Sequence, residues 1–156
     1  MTPPTFPVRP SSNSRVSRLY PIVARTWVGL MFLVMGLNGF LDFLPHPATM
    51  PANATAFMGG LMASGYIFPL ISGVQLLVAI LLLSNRFVPL ALAVIAPVIV
   101  NIAAFHLFLS SMGAPLAALT ILPYLYLVWI HGPAYRSMLV SRAPERTGFM
   151  SDSHVQ

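Results

Sequence analysis

Four long apolar runs, separated by short polar segments, dominate the pattern of hydrophobic and polar positions along the chain. The third run, residues 88–109, contains no formally charged residue and would be about 33 Å long as a helix, close to the thickness of the hydrocarbon layer of a bilayer. We therefore predict an all-α polytopic membrane protein, a bundle of four transmembrane helices with spans at about residues 21–44, 66–83, 88–109 and 115–130.

The segment between the first two runs carries a helical pattern of its own. Phe57, Met58, Leu61 and Met62 follow the spacing i, i+1, i+4 and i+5, which places them on one face of a helix. We predict a short amphipathic helix over residues 54–63, between transmembrane helices 1 and 2, that lies on the membrane surface or under the bundle.

Both ends of the chain differ in character from the apolar middle. Residues 1–20 are rich in proline, serine and arginine and lack an apolar period, so we expect a disordered N-terminal arm. Residues 132–156, which follow the last apolar run, contain several charged residues, and we expect them to form a soluble, partly disordered C-terminal tail. The transmembrane domain is then residues 21–131.

Composition and charge support insertion in a membrane and indicate an orientation. The chain is 57% hydrophobic and 7% charged, whereas soluble domains carry about 25% charged residues. The net charge of +5 comes from eight arginines against three acidic residues, and the arginines flank apolar runs rather than forming a nucleic-acid-binding patch. No arginine lies in residues 45–65 or 110–114, and all eight lie on the other side of the predicted bundle: Arg9, Arg15, Arg18, Arg25, Arg86, Arg136, Arg142 and Arg146. Because positive charge favours the cytoplasmic side, both termini are predicted to be cytoplasmic.

Several kinds of chemistry are excluded or disfavoured. The chain has no cysteine, which excludes disulfides, thiolate catalysis, iron–sulfur clusters and cysteine-ligated zinc. The four histidines show no short paired spacing, and no haem-attachment or flavin motif is present. We therefore predict neither a metal site nor a catalytic residue, and we favour a protein that is not an enzyme on its own.

Each run contains one hydrogen-bonding side chain at a similar depth in its outer half. Measured from the outer ends of the spans, Asn38 lies at about 9 Å, Gln75 at about 13 Å, Asn101 at about 12 Å and Tyr124 at about 13 Å. Asp42 and His106 lie nearer the outer rim. Because amides are costly in lipid, we expect these groups to face the inside of the bundle.

Three interpretations of this polar layer stay open. The side chains could serve only a structural role, by forming hydrogen bonds between helices. They could instead line a pocket for a quinone headgroup or another small ligand, or form part of a proton or ion path. We also expect a stripe of small residues on the third run to face inward and glycines 29 and 36 to contact a second helix; the stripe is Ala93, Pro97, Asn101 and Ala104.

Four short motifs are spread over residues 25–130: Gly-Leu-Asn-Gly-Phe at 36–40, Gly-Tyr at 65–66, Asn-Arg-Phe at 85–87 and the pattern Pro97…Asn101…Phe105-His106. In these motifs the segment resembles the DoxX family of small bacterial membrane proteins. The resemblance implies a four-helix bundle in the bacterial inner membrane and links with quinol oxidation, thiosulfate:quinone oxidoreduction and redox-stress complexes. Many members have glutamate where this chain has Gln75, and the change removes a titratable group.

These observations lead to two leading hypotheses of function. The first is an accessory subunit of a membrane redox or respiratory system, with a polar intramembrane pocket that binds quinone as its cofactor. The second is a protein that binds or transports a small molecule or a lipid. The expected partners are the lipid bilayer and a membrane redox protein, homo-oligomerisation is left open, and nucleic acid is not expected. The candidate ligand-binding residues are Asn38, Asp42, Gln75, Asn101, His106 and Tyr124.

Overall fold

The computed structural model describes residues 13–45, 47 and 49–136, and this part of the chain is helical without β-strands. Helix α1 is followed by the short helix α2, and α4 ends in a π-helical turn at Phe105–Leu109. The helices are α1 (Asn13–Leu41), α2 (Ala52–Ala63), α3 (Ile67–Leu83), α4 (Val88–Ala104), α5 (Ala114–Ile130) and α6 (Gly132–Arg136). The predicted all-α class is confirmed.

The four long helices form a closed ring in the order α1, α3, α4, α5. Neighbours in the ring run antiparallel, and the contact between α1 and α3 is the most extensive. It depends on glycines of α1: a Cβ atom at Gly29 would lie 2.9 Å from the Leu83 side chain, and one at Gly36 would lie 2.9 Å from Leu76. The predicted helix contact of Gly29 and Gly36 is therefore confirmed, with α3 as the second helix.

Two of the helical segments are long and apolar enough to cross a membrane, namely Leu19–Leu41 and Val88–Leu109. Helices α2 and α3 give a third candidate span if the pair, bent by 88°, is counted as one. Helix α5 is apolar but has only 17 residues, or about 26 Å of helix. The number of four spans stays a prediction.

Some boundaries differ from those predicted. Helix α1 begins at Asn13, so residues 13–20, expected in the disordered arm, are helical. Pro21 lies inside α1 rather than in its first turn; a proline there removes one backbone hydrogen bond, and the helix continues on both sides of it. The short helix α6 lies in the predicted tail, and the rest of the arm and tail lies outside the described residues.

The predicted short helix between the first two spans is present as α2. Its apolar side chains Phe57, Met58 and Leu61 are half-buried, while Met62 is 66% exposed. The opposite side consists of small and polar residues, including Gly59 and Gly60, without a charged residue. Helix α2 therefore has an apolar face, but its opposite face lacks the charged residues that are typical of a helix bound to a membrane surface.

One half of the ring has a filled interior, which we call the packed half. It lies towards the α3–α4 turn and α6, and its core is formed by Val28, Phe32, Val78, Ala79, Leu82, Val88, Ala91, Leu92, Ile95, Ile99, Tyr124 and Leu127. Apolar side chains of all four ring helices interdigitate there, so a mutation that changes their volume affects several neighbours at once.

The orientation of α4 corrects the prediction of an inward small-residue stripe. Ala93, Pro97 and Asn101 are not buried, whereas Leu92, Ile95 and Ile99 are. Large apolar side chains fill the space between the helices, and Ala91 lies beside them on the same face. Small residue size did not select the face that is buried in the packed half, because close helix approach is provided by α1 and α3. Pro97 and Asn101 of the stripe are exposed residues of the cavity lining instead.

Candidate ligand-binding cavity

A cavity of about 640 Å³ occupies the other half of the ring, which we call the hollow half. All four ring helices contribute to its walls, α2 lies over it, and Pro47, Met50 and Met112 add to the lining. The 88° bend between α2 and α3 turns α2 across the end of the ring, and Gly65 at the bend has φ +73°, a conformation that glycine adopts without steric cost. The bend therefore covers the cavity without filling it.

The lining is mostly apolar, with aromatic rings and thioethers from every side. The aromatic residues are Phe32, Phe57, Phe68 and Phe105, and the methionines are Met31, Met35, Met50, Met58 and Met112. The rings of Phe57 on α2 and Phe105 on the π-helical turn lie 5.9 Å apart. Methionine side chains are flexible and polarisable, so this wall can adapt to ligands of irregular shape.

Gln75 is the most buried of the predicted site residues that reach the cavity. Its side chain lines the cavity and is only 8% exposed. Its amide makes no hydrogen bond to another described residue, yet neither amide atom is enclosed by protein. The amide therefore opens into the cavity with both its donor and its acceptor available.

His106 also lines the cavity, from the π-helical turn. Its Nδ1 lies 2.8 Å from the carbonyl oxygen of Ile102, and because a carbonyl only accepts, Nδ1 is the donor. In the neutral ring, Nε2 is then an acceptor. Nε2 lies beside Gly113, where a Cβ atom would be 3.3 Å away, so the absence of a side chain there keeps room for the ring.

Asn101 lies at an open edge of the cavity. It is exposed, and it lines the cavity together with Pro97, which is exposed as well. Helix α5 contacts α4 at Leu92, whose carbonyl oxygen accepts a hydrogen bond from Tyr124. Asn101 is nine residues further on, which is half a turn around the helix. The outward flank of α4 is therefore part of the rim of the cavity, as are the exposed Met112 and Leu116.

The other three predicted site residues do not line the cavity. Asn38 Oδ1 accepts a hydrogen bond of 2.7 Å from the backbone N–H of Leu44, beyond the end of α1. Asp42 is exposed, has φ +49° and donates its backbone N–H to the Asn38 carbonyl at 2.8 Å. The buried Tyr124 hydroxyl donates to Leu92 O at 3.1 Å and joins α5 to α4. The predicted polar layer is thus divided between the cavity and structural contacts.

Two hydroxyl residues of the lining were not among the predicted site residues. Thr120 donates to the Leu116 carbonyl at 3.1 Å, and Ser110 accepts from the Met112 N–H at 3.3 Å. Thr120 lies four residues before Tyr124, on the same face of α5, which is the signal that could have selected it. The methionines of the lining could also have been selected from the sequence, because they lie near the predicted outer ends of the apolar runs.

The described residues contain no group of three or more histidine, aspartate or glutamate side chains that could hold a metal ion. His46 lies outside the described residues. Among the lining residues that the structure describes, His106 is the only titratable group. The cavity can therefore hold a ligand by apolar contact, amide hydrogen bonds and one imidazole.

Three comparisons with known proteins found no match for this chain: no protein-family model, no curated protein and no solved structure matches it.

Proposed function

We propose that this chain is a DoxX-like integral membrane protein that binds quinone in the hollow half of its bundle, as an accessory subunit of a membrane redox system. The observation that carries the proposal is the cavity of about 640 Å³, apolar in lining and supplied with the side chains of Gln75, Asn101 and His106. Its volume lies in the range typical of small-molecule sites, about 300–1,000 Å³.

The chemistry of a quinone suits this lining. A quinone is a flat ring with carbonyl acceptors on opposite edges and an apolar tail. The amides of Gln75 and Asn101 offer N–H donors to such carbonyls, and the phenylalanine and methionine side chains offer contact to the ring faces. Neither amide is engaged by another described residue, so hydrogen bonding to the ring would not break existing contacts.

The open flank of α4 supports a ligand that arrives from the bilayer. Pro97 and Asn101 form the open edge of the cavity, and in a membrane this edge would face lipid. A ring bound inside could leave its apolar tail in the lipid phase.

The proposed placement is the bacterial inner membrane with both termini cytoplasmic. Arg25 and Arg86 lie at the packed end, where α3 turns into α4, and α6 with Arg136 lies at this end too. Tyr135 of α6 donates to Pro89 O at 2.9 Å, and burial raises the pKa of its phenol, so it stays a donor at neutral pH. The positive end supports a cytoplasmic orientation.

An accessory role follows from what the lining can do chemically. Amides, hydroxyls and a single imidazole do not carry electrons, and on the resemblance to the DoxX family Gln75 stands where many members have glutamate. Electron transfer to or from a bound quinone would therefore belong to a partner protein. The cavity would hold the quinone close to that partner.

Binding of decylubiquinone to the protein in nanodiscs tests the proposal. We expect saturable binding to the wild type and about tenfold weaker binding to Gln75→Leu, because an amide–carbonyl hydrogen bond is lost at a buried site. Tyr124→Phe is the matched control, since it removes a hydrogen bond outside the cavity. Absence of saturable binding to the wild type would contradict the proposal.

Binding or transport of another small molecule or of a lipid is the second candidate, favoured by the same open flank at Asn101. It predicts that phospholipid with ordinary acyl chains competes with decylubiquinone for the cavity. It also predicts saturable movement of ligand across liposomes that contain the protein. If phospholipid does not compete with decylubiquinone and no transport is detected, the quinone proposal is favoured.

A further inference from the structure

One buried donor of the molecule has no partner. Nε of Arg25 is enclosed by protein and makes no hydrogen bond, and it is the only buried side-chain nitrogen or oxygen of this kind among the described residues. An unsatisfied buried donor costs free energy, and more so when it belongs to a charged group. Such a group in a native structure calls for a ligand or another explanation.

Arg25 lies where α1 passes the end of α3. Gly29, one helical turn further along α1, touches Leu82 and Leu83 at the end of α3. Arg25 is therefore level with the α3–α4 turn, and the exposed Arg86 is in that turn. Two guanidinium groups thus lie at the same end of the α1–α3 contact.

The described residues place no carboxylate at this end. Their one acidic residue is Asp42, which follows α1 at the opposite end of the molecule. The side chains of Leu83 and Phe87, at the α3–α4 turn, are 37% and 69% exposed. The surface at this turn therefore combines positive charge with exposed apolar side chains.

We propose that Arg25 and Arg86 bind the phosphate group of an anionic phospholipid at the α1–α3 edge of the packed end. A guanidinium matches phosphate oxygens through its planar set of donors. The terminal nitrogens of Arg25 are not enclosed as Nε is, so they would bind the phosphate first, and an outward turn of the side chain would then give Nε an acceptor as well. Exposed Leu83 and Phe87 would lie along the acyl chains. The site depends on the proposed membrane placement but not on the identity of the ligand in the cavity.

Native mass spectrometry of the full chain tests the site. The probes are phosphatidylglycerol and phosphatidylcholine with identical acyl chains, added at equal concentration. We expect the wild type to retain phosphatidylglycerol preferentially, Arg25→Gln to lower that retention about tenfold, and Arg86→Gln about threefold. Arg25→Lys keeps the charge but lacks Nε, and we expect it to lose most of the retention as well.

Arg142→Gln is the matched control, because it removes one arginine from the C-terminal tail. Equal retention of both lipids by the wild type would overturn the proposal. So would an equal loss in Arg142→Gln and Arg25→Gln, because net charge alone would then explain binding. If Arg25→Gln fails to fold, as judged by circular dichroism, Arg86→Gln decides, since Arg86 is exposed on a turn.

A competition experiment distinguishes a lipid ligand from a soluble phosphate compound. We expect neither inorganic phosphate nor glycerol 3-phosphate at millimolar concentration to displace retained phosphatidylglycerol, because these compounds lack acyl chains. Displacement by either compound would overturn the assignment to a lipid. Loss of quinone binding in Gln75→Leu with unchanged lipid retention would show that the two sites are independent.

Discussion

The packed half and the hollow half are built from the same four helices and from similar apolar residues, yet one is filled and the other encloses a cavity. In the packed half, α3 and α4 are joined by a turn of four residues, and Leu82, Leu92 and Leu127 meet in the interior. In the hollow half, ten residues separate α1 from α2, and α2 lies across the end of the ring. Short connections draw helices together, and the longer connection leaves room for a ligand.

The glycines of α1 sharpen this comparison. Gly29 in the packed half and Gly36 further along both touch α3, and a Cβ atom at Gly39 would overlap the Ser72 side chain. Helices α1 and α3 are therefore close along their whole contact. The cavity lies between this close pair and the helices α4 and α5. Separation of α4 from the pair, rather than general looseness, creates the hollow half.

The largest expected effect compares one substitution made at two positions of α5. Leu127→Ala removes a fully buried side chain of the packed half and should lower the free energy of unfolding by about 2–5 kcal/mol, because it leaves a void. Leu116→Ala removes a 47% exposed side chain of the cavity lining and should cost less than about 1 kcal/mol. Unfolding in mixed detergent micelles measures both; equal losses would show that the two halves are packed alike.

The next effect tests the close approach of α1 to α3. In Gly36→Ala the new Cβ would lie 2.9 Å from Leu76 and 3.0 Å from Ser72 O, and overpacking should cost about 1–3 kcal/mol of unfolding free energy. Gly59→Ala in α2 is the control, since a Cβ atom there would meet nothing within 4 Å. It should be stabilising by about 0.5–1 kcal/mol through helix propensity. A neutral Gly36→Ala would disprove the tight contact.

A third pair of substitutions should separate stability from binding. Tyr124→Phe removes the hydrogen bond to Leu92 O, so it should lower the unfolding free energy by about 1 kcal/mol and leave decylubiquinone affinity unchanged. Gln75→Leu should weaken binding without lowering stability, because its amide has no partner among the described residues. A loss of stability in Gln75→Leu instead would identify Gln75 as an interhelical contact.

Much of the fold could be predicted from the sequence, and the reasons are local. The apolar runs end at turn-forming residues, so the predicted spans at 88–109 and 115–130 agree with α4 plus its π-helical turn and with α5 to within one residue. The start of α1 was harder to predict, because residues 13–20 have no apolar period and yet continue the helix of the apolar segment that follows them. Local pattern does not determine how far a helix extends beyond its apolar part.

The candidate site could be predicted only in part. Two residues selected by their depth along the spans, Gln75 and Asn101, line one cavity together with His106, which was placed nearer the rim; their role in ligand binding stays a prediction. Depth could not show that Tyr124 reaches across to Leu92 or that Asn38 turns back to the end of its own helix, because both depend on side-chain direction. The cavity itself depends on the 88° bend before α3, which no periodicity of the sequence encodes.

The smallest expected effect concerns the open edge of the hollow half. Asn101 is exposed, so Asn101→Leu should change the unfolding free energy by no more than about 0.5 kcal/mol. Its side chain lines the cavity, so decylubiquinone should bind about threefold more weakly, a smaller loss than at buried Gln75 because the exposed bond is weaker. Val100→Leu, also exposed at 66%, is the control and should leave affinity unchanged. If Asn101→Leu keeps full affinity but loses a co-purifying protein, the α4 flank contacts that protein, and the hollow half would have to admit its ligand by another route.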